Sequence, residues 1–124
     1  MSKEVKGRIA IIDDDALVRQ TLTDCVESAG YSVEDFGSAE DFLTSSSAKG
    51  AVCLIVDIDL PGITGLELQR RLAGKDNRAP IVFVTGQAAN GNREQAIRQG
   101  AAGFLCKPFR REELLIAIKA ATQH

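Results

Sequence analysis

The sequence predicts an α/β domain: a parallel sheet with helices on both faces. Three observations carry that expectation. Strand-like and helix-like segments alternate five times along the chain, the pattern of repeated strand–helix–strand crossovers. The run Ala51 to Val56 holds six apolar residues without polar alternation, as in a strand buried on both faces. Two strands end in carboxylates, Ile9 to Ile12 at Asp13-Asp14-Asp15 and Ala51 to Val56 at Asp57. Acidic groups therefore collect at the carboxyl edge, where open α/β sheets bind ligands.

The elements follow in order. Residues 1–7 are polar, and Arg8 to Ile12 is the first strand. Asp15 caps a helix from Ala16 to Ala29, whose apolar stripe is Val18, Leu22, Cys25, Val26 and Ala29, and Gly30 stops it. Tyr31 to Phe36 alternates loosely and reads as an edge strand. Ser38 opens a short helix through Leu43, with Asp41 in the place of a capping-box Glu. Ser45-Ser46-Ser47 is a loop. The central strand ends at Asp57, and Pro61-Gly62 turns the chain into a helix from Gly65 to about Ala73, with Leu68 and Leu72 inward.

Pro80 precedes the fourth strand, Ile81 to Val84, which ends at Thr85-Gly86. Gly86 to Asn92, with two Gly and two Asn, has little side chain to bury. The helix from Asn92 to Gln99 has Ala96 and Ile97 as its anchors. Segments with few apolar contacts sit at the low-stability end of a fold. Phe104 to Cys106 is a short strand ending at Lys107-Pro108. Arg111 to Ala121 is the last helix, burying Leu114, Leu115, Ile118 and Ala121. No linker, repeat or low-complexity tract suggests a second domain.

At 124 residues, 44% hydrophobic and 26% charged, the chain has the composition of one globular domain. No apolar run approaches the roughly 20 residues of a membrane span. Ile9 to Ile12 is too short for a signal-peptide core, so the expected location is cytoplasmic. A net charge of −2 argues against nucleic acid as a partner of this domain by itself. Cys25, Cys53 and Cys106 show no CxxC spacing and lie in apolar segments, so buried, reduced thiols are expected.

Four strand ends carry chemistry: Asp13 with Asp14, Asp57, Thr85 and Lys107. Each has a bland reading as cap, strand residue or solvated charge, and Asp15 is better read as a cap than a ligand. Complementary polar groups at four ends of one edge are not explained by capping. Carboxylates hold a hard cation such as Mg²⁺ through oxygen and leave places for phosphate oxygens. A Lys and a Thr hydroxyl can hold the remaining phosphoryl oxygens. Such a set suits phosphoryl transfer with a carboxylate nucleophile, and Asp57 is the candidate because it ends the central buried strand alone. The lone histidine, His124, has no assigned role.

The segments IIDDD, IVDIDLPGITG, VTG and GFLCKPF, in this order, resemble the receiver domain of two-component response regulators. VEDFGSAEDFL is further similar to receivers of the FixJ/NarL type. The resemblance implies one receiver domain over residues 1–124, with a flavodoxin-like, doubly wound five-stranded parallel sheet of order 2-1-3-4-5 and five helices. It makes Asp57 the acceptor of a phosphoryl group from a sensor histidine kinase, in a protein that catalyses only its own phosphorylation and dephosphorylation. Asp13, Asp14, Asp57 and the backbone carbonyl of Asp59 match the Mg²⁺ site, which also admits Mn²⁺. Thr85 matches the switch hydroxyl, Lys107 the phosphoryl-pairing lysine, and Phe104 the aromatic switch position. Lacking a hydroxyl, Phe104 would switch by packing alone. Lys107-Pro108 matches a peptide bond that is cis in the family, a geometry found almost only before proline. Asp59 and Gln87 occupy positions that tune phosphoryl lifetime.

The surface of the fourth helix, fifth strand and fifth helix, with Arg110 and Arg111, is then the expected binding face for a second copy or an effector. The chain stops just past the fifth helix without a DNA-reading helix-turn-helix. It is therefore expected to be a stand-alone receiver or the receiver part of a longer regulator. DIDLPG also looks like the nucleophile motif of haloacid-dehalogenase-type phosphatases, with Asp57 attacking and Asp59 as acid/base. That family places Thr or Val at Pro61, and its motif follows the first strand. A flavin or nucleotide module fits less well, because Asp13 to Asp15 stand where a Gly-rich phosphate loop belongs.

Overall fold

A computed structural model describes residues 6–46, 49–75, 77, 79–86 and 92–123. Among these, strands and helices alternate as β1 (Arg8–Ile12), α1 (Ala16–Ser28), β2 (Ser32–Phe36), α2 (Ala39–Thr44), β3 (Cys53–Asp57), α3 (Gly65–Gly74), β4 (Ile81–Thr85), α4 (Asn92–Arg98), β5 (Gly103–Cys106) and α5 (Arg111–Thr122). The sheet is parallel throughout, in the order β2-β1-β3-β4-β5. The flavodoxin-like order expected of the chain is the order observed.

Period-two alternation on strands buried on both faces divides the core in two. Ala10, Ile12, Leu54, Val56 and Phe83 point to one side, against Ala39 and Phe42 of α2, Leu68 and Leu72 of α3 and Ala96 of α4. Ile9, Ile11, Ile55, Val82 and Val84 point to the other, against Leu22 and Val26 of α1 and Leu114, Ile118 and Ala121 of α5. All five residues of β3 and of β4 are buried, Asp57 and Thr85 included. Burial to the last residue of each strand fixes where those two side chains emerge.

Local chemistry sets the helix starts. The Asp15 carboxylate accepts from the N–H groups of Leu17 and Val18, and the Ser38 hydroxyl from that of Asp41. Thr64 accepts from Glu67 to open α3. The next residue has to be glycine: a Cβ on Gly65 would lie 2.8 Å from Ile58 Cα and 2.9 Å from the Asp57 carbonyl oxygen. The start of α3 thus rests directly on the backbone leaving β3. Gly62 turns this loop at φ +72°, beside the Glu40 carboxylate, which accepts from the Ile63 N–H.

Several expectations need correction. The central strand begins at Cys53 rather than Ala51, and Ala51 and Val52 are only half-buried. Cys53 is buried, but Cys25 is half-buried and Cys106 exposed; β5 is an edge strand, and its last residue leaves the core. Ile97 is 51% exposed and does not anchor α4. Adjacent helical residues point about 100° apart, so with Ala96 fully buried its neighbour turns to solvent. Leu115 on α5, and Val18 and Ala29 at the ends of the first helical stripe, are half-buried. Most of the Gly86 to Asn92 segment lies outside the described residues.

Candidate functional site

The ends of β1 and β3 deliver two carboxylates in the same way. Asp13 follows β1 and accepts the Asp15 N–H on Oδ1 at 2.9 Å. Asp57 ends β3 and accepts the Asp59 N–H on Oδ1, also at 2.9 Å. Both are local turns in which an aspartate bonds the backbone two residues on. In each, Oδ2 is left facing Lys107: the Nζ atom stands 3.5 Å from Asp13 Oδ2 and 3.8 Å from Asp57 Oδ2. Asp14, exposed, completes a cluster in which one carboxylate oxygen of each of Asp13, Asp14 and Asp57 lies within 4.8 Å of the others.

Two of these three carboxylates, Asp13 and Asp57, share one ammonium. Burial pushes the Asp57 carboxyl above its ordinary value, with Asp13 and Asp59 adding to the rise. The Asp59 N–H and, more weakly, Lys107 oppose it. The donor set is all oxygen and carries excess negative charge, which fits a hard divalent cation.

Thr85, fully buried at the end of β4, donates its hydroxyl to Asp59 Oδ2 at 3.0 Å. The Lys107 N–H donates to the Thr85 carbonyl at 2.7 Å, joining the ends of β4 and β5. The Lys107–Pro108 peptide bond is cis. Phe104 is half-buried on β5, its ring centroid 6.5 Å from that of Phe83. The structure thus brings Asp13, Asp14, Asp57, Asp59, Thr85 and Lys107 to one edge. Gln87 lies outside the described residues.

Two features escaped the sequence reading. Arg19, one turn beyond the Asp15 cap, donates to the Asp13 carbonyl at 2.7 Å and pairs with Asp35 at 3.0 Å. It ties the ends of β1 and β2 to α1. An arginine in the first turn of a helix, with an aspartate near the end of the neighbouring strand, was the available signal. The Asp59 carboxylate was overlooked as a partner of Thr85, because it was read only as a lifetime-tuning group or, in the phosphatase alternative, an acid/base. A cavity of about 890 Å³, lined by Leu43, Val52, Leu72, Pro80 and two lysines, opens at the opposite, amino edge of the sheet. None of the acidic groups borders it, so the acidic site and that cavity are separate.

The family model of the response regulator receiver domain matches residues 9–119. Nodulation protein W of Bradyrhizobium diazoefficiens is 40% identical over 118 residues, covering 95% of this chain and 52% of that protein. Response regulator protein TodT of Pseudomonas putida is 43% identical over 113 residues, covering 91% of this chain and 50% of TodT. The crystal structure of full-length FixJ from B. japonicum matches with a TM-score of 0.88 at 35% identity, over 95% of this chain and 58% of that one. FixJ-N matches with a TM-score of 0.88 at 29% identity, over 98% and 97%. The chain spans about half the length of the curated relatives it matches. Among the described residues, no helix is long and apolar enough to cross a membrane. Because the family match runs from β1 to α5, this chain belongs to the response regulator receiver domains of two-component systems.

Proposed function

We propose that Asp57 accepts a phosphoryl group from a phosphorylated histidine of a sensor kinase. The observation that carries this reading is the convergence of Asp13, Asp14 and Lys107 on the carboxylate ending the central buried strand. A carboxylate oxygen of Asp57 attacks phosphorus; the P–O bond forms as the P–N bond to the imidazole breaks, and the electron pair leaves with the ring. Little covalent chemistry is asked of the protein beyond positioning and charge. Lys107 stands where it can neutralise phosphoryl oxygens, and the Thr85 hydroxyl is the second donor in reach. Asp13, Asp14, Asp57 and the Asp59 carbonyl would hold Mg²⁺, or Mn²⁺ in its place, which supplies positive charge to the transferring group.

In this reading residues 1–124 act as one cytoplasmic receiver domain that promotes only its own phosphorylation and dephosphorylation. Asp59 and Gln87 tune the lifetime of the acyl phosphate. Movement of Thr85 toward the phosphoryl group opens space for Phe104, and the α4–β5–α5 face, with Arg110 and Arg111, changes shape. A second copy or an effector of a longer regulator binds that face, and neither nucleic acid nor membrane is a partner of this domain. Intact mass after acetyl phosphate treatment tests the acceptor role. One added phosphoryl group with Mg²⁺, lost in EDTA and in Asp57→Asn, supports it; undiminished labelling of the variant rejects it.

A further inference from the structure

We infer that the carboxylate of Asp59 is a positioning group for Thr85: it holds the hydroxyl in the unphosphorylated protein and competes with the phosphoryl group for it. The inference rests on the acceptor reading of Asp57 and adds to the lifetime-setting role given to Asp59 a second one, before phosphorylation.

Thr85 Oγ1 donates to Asp59 Oδ2 at 3.0 Å. A hydroxyl carries one proton and makes one full donation, and donation to an ionised carboxylate is among the stronger hydrogen bonds. A phosphoryl oxygen on Asp57 therefore gains the Thr85 proton only by displacing Asp59. The backbone on both sides is pinned. The Asp59 N–H is held by Asp57 Oδ1 at 2.9 Å, and the Thr85 carbonyl by the Lys107 N–H at 2.7 Å. The exchange is thus left to side-chain rotation. The two partners differ in what they lose: Thr85 is fully buried, so its hydroxyl must find another acceptor, whereas Asp59 is exposed and its carboxylate passes to water. The arrangement biases the resting state without locking it. A ligand at Asp57 has to supply the difference.

The test is a double-mutant cycle. Beryllofluoride, a phosphoryl mimic, is titrated with Mg²⁺ into wild type, Asp59→Ala, Asp59→Asn, Thr85→Val and the Asp59→Ala/Thr85→Val double variant, read from amide signals at residues 57, 85 and 107. Loss of one exposed competitor should tighten binding by about 2- to 10-fold in Asp59→Ala. Asp59→Asn, which loses the charge but keeps an acceptor oxygen, should stay closer to wild type. In the Thr85→Val background, Asp59→Ala should change nothing. Couplings to the Thr85 methyl in protein free of metal and ligand should report a changed χ1 in Asp59→Ala. An equal gain in Asp59→Asn, or an undiminished gain in the Thr85→Val background, would show that charge alone is at work and overturn the positioning role. An unchanged χ1 would overturn it as well. A wild type that takes up no beryllofluoride would reject the acceptor reading itself, and this inference with it.

Discussion

Lys107 Nζ lies 3.8 Å from Asp57 Oδ2 although β4 separates the strands that carry them. It reaches across the edge of the sheet and stands slightly nearer to Asp13, at 3.5 Å. The ammonium is shared between two buried acids and is itself partly open to solvent. A group so placed senses any change in charge at Asp57.

Lys107→Ala should therefore fold and accept phosphate, but fail to transmit it. Loss of the shared cation should cost about 1–3 kcal/mol, below the 3–5 kcal/mol of a fully buried pair, because Lys107 is partly hydrated. Hydrogen exchange across residues 92–110 should change on beryllofluoride addition in wild type and stay unchanged in the variant. Equal changes in both would remove Lys107 from the coupling.

Asp57 makes stability depend on pH in a defined direction. Its folded pKa is raised, mainly by burial, above the ordinary value of 3.8. The folded state then binds the proton more tightly than the unfolded chain does. Its contribution is intact below the unfolded pKa and is lost as pH rises through the folded one. Asn cannot ionise, so without divalent cations Asp57→Asn should melt higher than wild type at pH 7. The gap should close toward pH 4. Thermal melts across that range check it, and a gap that widens on acidification would contradict it.

Gly65→Ala should cost about 1–3 kcal/mol, as expected of an inserted group whose neighbours cannot yield. The new Cβ meets backbone at Ile58 and at Asp57, not flexible side chains. Moving that backbone also moves the acceptor carboxylate, so labelling by acetyl phosphate should slow along with the drop in melting temperature. Wild-type stability in this variant would show that α3 can shift freely.

The three thiols should react unequally. Cys106 is exposed, whereas burial pushes the Cys53 thiol up to about 12. Alkylation of folded protein near pH 8 should mark Cys106 first and leave Cys53 untouched until unfolding, as read by peptide mapping. β4 lies between their strands, and Cys53 opens β3 whereas Cys106 closes β5, so strand spacing of about 9–10 Å plus the offset along the strands puts them well beyond disulfide reach. A 53–106 disulfide from folded protein would contradict the sheet order.

Much of the fold was legible because its signals are local. Unbroken apolar runs mark β3 and β4, and Asp15 and Ser38 mark helix starts. The acidic edge was legible too, because a carboxylate ending a buried run has one place to go. The order of the strands was not in the periodicity and came only with the family resemblance. Cys106 and Ile97 were misplaced because apolar character does not tell which side of an edge strand or short helix meets water. The Thr85–Asp59 bond joins the ends of two strands, and no spacing along the chain announces it.

The acceptor role of Asp57 is tested most directly by trapping the acyl phosphate. Protein treated with acetyl phosphate and Mg²⁺ is reduced with borohydride, which converts a phosphorylated aspartate to homoserine, and is mapped by tandem mass spectrometry. Homoserine at position 57, and at no other aspartate, is the predicted result. Homoserine at Asp13, Asp14 or Asp59 with Asp57 intact would contradict it.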